Sequence, residues 1–145
     1  MENIVDGKLK DLKHIVKIDE VVFGKAKKIK EIEGKLVLCK NVHITLGKMD
    51  ERLVGYGIGY EEKGKYYLWM LAVLPEFRKH GFGKRIFEEQ INFAKKKRYD
   101  TFLVKSSNKW KDMLRLTIKL GFDIVGFKIN EWGSNSAIWL SKDLK

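Results

Sequence analysis

Tyr66–Arg85, YYLWMLAVLPEFRKHGFGKR, is the most informative segment of the chain. Tyr66–Leu74 is an apolar, aromatic-rich run of strand length. Beyond Pro75 the chain enters Arg78-Lys79-His80-Gly81-Phe82-Gly83, and the spacing then predicts an amphipathic helix from about Lys84 to Lys97. Gly81 and Gly83 let the backbone turn tightly without a side-chain clash. The helix start presents unpaired N–H groups and the positive end of its dipole. A strand, a glycine turn and a helix start in that order make an anion site suited to a diphosphate rather than to a single carboxylate. Arg78, Lys79, Lys84 and Arg85 add cations around it.

Two common phosphate loops do not fit. A dinucleotide fingerprint needs a third glycine where Ile86 stands, and a Walker loop needs glycine at Arg78 and Ser or Thr at Arg85. Upstream, Val54-Gly55-Tyr56-Gly57-Ile58-Gly59-Tyr60 alternates strictly, so three glycines share one strand face. Such a face permits close approach, either of a tightly packed helix, the favoured reading, or of a ligand beside the central strands. Val42–Leu46 and Leu53–Tyr60 pair around Lys48-Met49-Asp50-Glu51, and residues 2–5 make a short first strand. Leu12, Ile15, Ile18, Val21 and Val22 mark a helix over Leu9–Phe23, and residues 25–33 a second, basic one. Downstream come a strand at Thr101–Lys105, a helix marked by Trp110, Met113, Leu114, Thr117 and Ile118, and strands at Phe122–Ile129 and Ala137–Leu140. The order β-α-α-β-β-β-α-β-α-β-β predicts an α/β (α+β) fold: a mixed, mostly antiparallel central sheet with helices on both faces.

The chain of 145 residues is expected to form a single domain, 1–145. Its net charge of +11 calls for an anionic partner: nucleic acid, acidic lipid or a phosphorylated small molecule. Lysine abundance beside the single Gln90 also fits heat adaptation. Cys39 stands alone, and His14, His43 and His80 have no metal-ligand spacing, so no metal is expected. No apolar run is long enough for a membrane span, and Glu2 and Asp6 precede any apolar stretch. A cytoplasmic location is the expectation.

L-x-V-x-P-x-x-R-x-x-G-x-G, met at Leu71, Val73, Pro75, Arg78, Gly81 and Gly83, resembles the acetyl-CoA-binding motif of the GNAT superfamily of N-acetyltransferases. Leu9-Lys10-Asp11-Leu12 leading to Ile15 and Phe23 is similar to the family's first helix. Val104-Lys105-Ser106-Ser107-Asn108 is similar to the end of its fifth strand, and Lys119-Leu120-Gly121-Phe122 to its K-x-G-F signature. The resemblance implies the family's acyl-CoA N-acyltransferase fold. It also implies transfer of acetyl from acetyl-CoA to the primary amine of a small molecule or peptide N-terminus. On that resemblance, backbone groups of Leu71, Ala72 and Val73 pair with the pantetheine arm. Arg78, Lys79, His80, Gly81, Phe82, Gly83 and Lys84 hold the diphosphate, and Asn108 lies near the acetyl end. A strand N–H near Leu71 or Ala72 is placed to polarise the acetyl carbonyl.

The sequence departs from the family where a tyrosine usually protonates the leaving thiolate: Thr117 stands there, with a shorter and less acidic hydroxyl. The catalytic residues are therefore unassigned. Asn108, Ser107 and Thr117 are candidates, Thr117 reads more simply as a core residue, and proton return is left to water, Ser106 or Ser107. Glu61, Glu62 and Glu131 are weak candidates for a base, and Trp132 for an acceptor contact. A non-catalytic acyl-CoA sensor and a basic nucleic-acid-binding module are the alternatives. No helix-turn-helix, zinc knuckle or aromatic RNA-binding signature supports the second, and a homodimer stays open.

Overall fold

The computed structural model describes residues 1–129 and 136–145. The elements run β1 (Glu2–Asp6), α1 (Leu12–Phe23), α2 (Ile29–Leu36), β2 (His43–Met49), β3 (Arg52–Glu62), β4 (Lys65–Val73), α3 (Phe82–Lys96), β5 (Thr101–Ser106), α4 (Lys111–Lys119), β6 (Asp123–Ile129) and β7 (Ser136–Asp143). Their order is the one expected from the changes of period, while several boundaries move. The second helix begins at Ile29 rather than residue 25, because its buried stripe is Ile32 and Leu36, which needs a helix reaching Leu36. The first helix starts with a separate 3₁₀ turn at Leu9–Asp11. Its buried face is also rotated from expectation: Asp19 joins Leu12, Ile15 and Ile18 inside, whereas Val21 is 60% exposed.

Among the described residues, seven strands form one sheet in the order β1-β2-β3-β4-β5-β7-β6. Every neighbouring pair is antiparallel except β4 and β5, which α3 connects as a crossover. That parallel ladder is brief, joining Tyr66–Leu68 to Phe102–Val104, after which the two strands part. A β-bulge sits at the parting: Ile58 opposes Met70 and Gly59 opposes Leu68, leaving Trp69 as the extra residue. The bulge re-aims the second half of β4 away from its neighbour.

One face of the sheet carries α1 and α2, with Leu12, Ile15, Ile32 and Leu36 against Tyr56, Ile58 and Tyr60. The other carries α3 and α4, where Phe87, Ile91, Phe102, Phe122 and Leu140 pack together. The glycine face of β3 lies under α3, as the helix reading of that pattern expected. A Cβ at Gly57 would sit 2.7 Å from Ile86 Cγ2, and one at Gly59 would run into Gln90 and Tyr66. Gln90 uses that proximity, its Nε2 donating to His43 O at 3.0 Å and Thr45 Oγ1 at 2.9 Å. Among the described residues, no helix is long and apolar enough to cross a membrane.

Candidate active site

Where β4 and β5 part, a cleft of about 1610 Å³ opens between them. That exceeds the roughly 300–1,000 Å³ of pockets for drug-sized ligands. Trp69–Val73 line it with a strand edge that has no partner in β5, and Val104–Ser106 face them. The end of α1 and the α1–α2 connection wall one side, α4 and the residues before it the other. Phe23 and Trp110 meet edge-to-face at 5.0 Å, joining the two walls.

The glycine turn forms part of the lining. Lys79 (φ 70°) and Gly81 (φ 80°) both take left-handed backbone, which bends the chain sharply into α3. Gly81 caps the helix with no side chain. Arg85 is the first residue of the helix whose N–H bonds back, to Gly81 O at 3.0 Å. Among the described residues, the N–H groups of Lys79 through Lys84 have no acceptor outside the helix, and the helix itself supplies none for its first turn. Arg78 lies along the end of β4, its Nε donating to Val73 O at 3.2 Å.

Of the expected cofactor contacts, Leu71, Ala72, Val73, Arg78, Lys79, Gly81, Phe82, Gly83 and Lys84 line the cleft. His80 and Asn108 lie outside its walls. Glu2 on β1 draws His80 away, with Nδ1 at 3.6 Å, and takes Arg85 as well at 3.3 Å, so Arg85 is not part of the cationic lining. Asn108 is tied to β7, its backbone N–H donating to Ser136 Oγ at 3.0 Å. Ser107 Oγ accepts the Lys109 N–H at 3.1 Å. Thr117 is buried, and its Oγ1 donates to Met113 O at 2.7 Å within its own helix. Ser106, by contrast, lines the cleft at 6% exposure, and its hydroxyl has no partner among the described residues. Glu61 accepts from the Tyr99 hydroxyl at 2.7 Å and, with Glu62, lies outside the cleft. Glu131 and Trp132 fall outside the described residues.

One cleft-lining pair belongs to no sequence motif. Asp19, 2% exposed, accepts a hydrogen bond from the Tyr56 hydroxyl, and both residues line the cleft. Burial holds the Asp19 carboxyl above its usual range, opposed by the Tyr56 bond and by the charge of Lys27. The same burial, with the carboxylate beside it, pushes the Tyr56 phenol well up. The signal was in the spacing: Asp19 stands four residues after Ile15 and three before Val22, a carboxylate set in an apolar stripe.

The sequence model described as the acetyltransferase (GNAT) family matches residues 12–122, and the chain belongs to that family. No curated protein matches it significantly. Many solved structures share the fold. The ribosomal-protein-S18-alanine N-acetyltransferase of Escherichia coli is 16% identical with a TM-score of 0.87, over 100% of this chain and 95% of that one. Ard1 of Thermoplasma volcanium is 15% identical with a TM-score of 0.85, over 98% and 97%. Salmonella typhimurium yncA, solved with its cofactor acetyl-CoA, is 13% identical with a TM-score of 0.82, over 100% and 95%. At these identities the likeness is one of fold.

Proposed function

We propose that this protein transfers the acetyl group of acetyl-CoA to the primary amine of a small molecule or a peptide N-terminus. The observation that carries the reading is the parted β4–β5 cleft with the unpaired N–H groups of Lys79–Lys84 in its lining. Family membership and the acetyl-CoA held by the yncA neighbour support it. Acetyl-CoA supplies a thioester: a neutral amine attacks the acetyl carbon, the C–S bond breaks as the C–N bond forms, and the proton the nitrogen loses is matched by one taken up by the sulfur, which leaves as the CoA thiol. The turn N–H groups, with Arg78, Lys79 and Lys84 around them, suit the diphosphate. The free edge at Leu71 and Val73, whose backbone groups point away from β3 while those of Ala72 face Tyr56, suits the amides of the pantetheine arm, which would lie along it as an added strand. The Leu71 N–H faces the free edge and suits polarisation of the carbonyl, while that of Ala72 is turned toward β3. The unpartnered Ser106 hydroxyl is the side chain offered to the departing sulfur, in the position Thr117 does not serve.

Calorimetry with acetyl-CoA tests the reading. Wild-type protein binds saturably, and Gly81→Glu, which sets a carboxylate beside the diphosphate position, loses at least about tenfold in affinity. Undiminished affinity in a folded Gly81→Glu protein overturns the assignment. A panel of amines read by free-thiol release then separates enzyme from sensor. The tied-up Thr117 hydroxyl favours the sensor if donor binds and no amine is acetylated.

A further inference from the structure

Asp19 is a costly residue where it stands. A carboxylate taken out of water needs a cation or several donors, and a single phenol is a modest compensation. Among the described residues it has Tyr56 alone as hydrogen-bond partner and no ion pair, and the charge of Lys27 offsets its burial only in part. An asparagine would accept the same bond without the penalty. A buried, under-compensated charge on the wall of a ligand cleft has a physical reason to exist if a ligand brings the opposite charge.

The surroundings say more about that ligand. Lys25, Lys27 and Lys28, all exposed in the α1–α2 connection, line the same cleft, and Glu31 is the one carboxylate among the described residues that follows them there on α2. They are distant in sequence from the turn read as the diphosphate site, and none forms an ion pair among the described residues. A polycationic acceptor would meet three like charges on its way to Asp19, whereas an amine that also carries an anionic group meets complementary charge at both places.

We propose that Asp19, held by the Tyr56 hydroxyl, binds the ammonium group of the acceptor, which gives up a proton to solvent before its nitrogen attacks, while Lys25, Lys27 and Lys28 hold an anionic group of the same acceptor, a primary amine bearing a carboxylate. The proposal rests on the acetyltransferase reading and names the acceptor class it leaves open. A free amino acid and the first residues of an acidic peptide share that chemistry. Polyamines, simple amines and carboxamides lack it.

The test uses wild-type protein, Asp19→Asn and Lys25→Gln/Lys27→Gln/Lys28→Gln, with acetyl-CoA affinity by calorimetry beside acceptor kinetics. Acceptors are L-alanine, L-glutamate, their carboxamides, spermidine and the tripeptide Ala-Glu-Ala. Wild-type protein favours an aminocarboxylate or the acidic tripeptide over carboxamide and spermidine by about tenfold or more in kcat/KM, and which of the two leads identifies the source. Asp19→Asn raises the acceptor KM by about 10- to 100-fold, the value of a charged hydrogen bond, with acetyl-CoA affinity unchanged. The triple variant loses the preference for the carboxylate. Preference for spermidine or carboxamide, an unchanged acceptor KM in Asp19→Asn, or no turnover of any acceptor by protein that still binds acetyl-CoA overturns the proposal and leaves the donor site standing. Failure of wild-type protein to bind acetyl-CoA overturns the reading beneath it.

Discussion

Three hydroxyl groups close to the cleft have different prospects because of what each already bonds. Thr117 donates to a carbonyl one turn back in its own helix, Ser107 accepts from Lys109, and Ser106 is uncommitted among the described residues. Ser106→Ala is therefore expected to lower kcat by about tenfold with acetyl-CoA affinity unchanged, the scale of one lost hydrogen bond to a charged group. Thr117→Val should change kcat by less than about threefold. The reverse order in steady-state assays would show that α4 rearranges during the reaction. Asp19 has a consequence for stability that its charge makes pH-dependent. Because burial raises its pKa in the folded state, folding favours the protonated form, and ionisation costs stability as pH rises through that raised value. Asp19→Asn is accordingly expected to raise Tm at pH 7, with the gain shrinking toward zero as pH falls below the ordinary carboxylate range. A gain that grows on acidification would contradict the raised pKa.

At the scale of elements, much was legible because local physics decides it. The switch from a period of three to four residues to one of two, and the glycines ending α1 and α4, placed every helix and strand in order. The turn at Arg78–Lys84 was legible as a sharp bend into a helix start because its conformation depends on Gly81 and on the helix that follows. What escaped were matters of pairing between distant segments. Trp69 becomes a bulge only through the register of β3 on β4, and the parting of β4 from β5 needs the whole crossover in place. Capture of Arg85 on α3 by Glu2 on β1 joins residues 83 positions apart, and no local pattern announces it. The glycine face of β3 makes an element-scale prediction. Gly57→Ala drives a methyl group into Ile86 Cγ2 and should cost about 1–3 kcal/mol in chemical denaturation. Adding Ile86→Ala should give a double-mutant cycle with favourable coupling, since the second change vacates the space the first requires. Simple additivity would mean that α3 does not sit as tightly on β3 as the geometry shows.

At the scale of the whole molecule, the charge excess is divided. Among the described residues, nine cationic side chains and three carboxylates line the cleft, so the basic character is concentrated where a polyanionic donor is proposed to lie, although most of the 30 lysines and arginines are elsewhere. Acetyl-CoA at about 100 times its dissociation constant should stabilise the fold by about 2.7 kcal/mol and raise Tm by several degrees. A Tm unmoved at saturation would contradict binding to the folded state. The brief β4–β5 ladder gives that experiment a mechanical meaning. Tyr66–Leu68 and Phe102–Val104 act as the spine of a book, with β1–β4 as one cover and β5, β7 and β6 as the other. Tyr66 and Leu68 of β4 pack in one hydrophobic cluster with Phe102, Val104 and Leu140 of the other cover, so the covers are held together at the spine and part beyond it. A long ligand laid in the gutter works as mortar between the covers, and amide hydrogen exchange should slow most along the facing margins, Met70–Val73 and Lys105–Ser106.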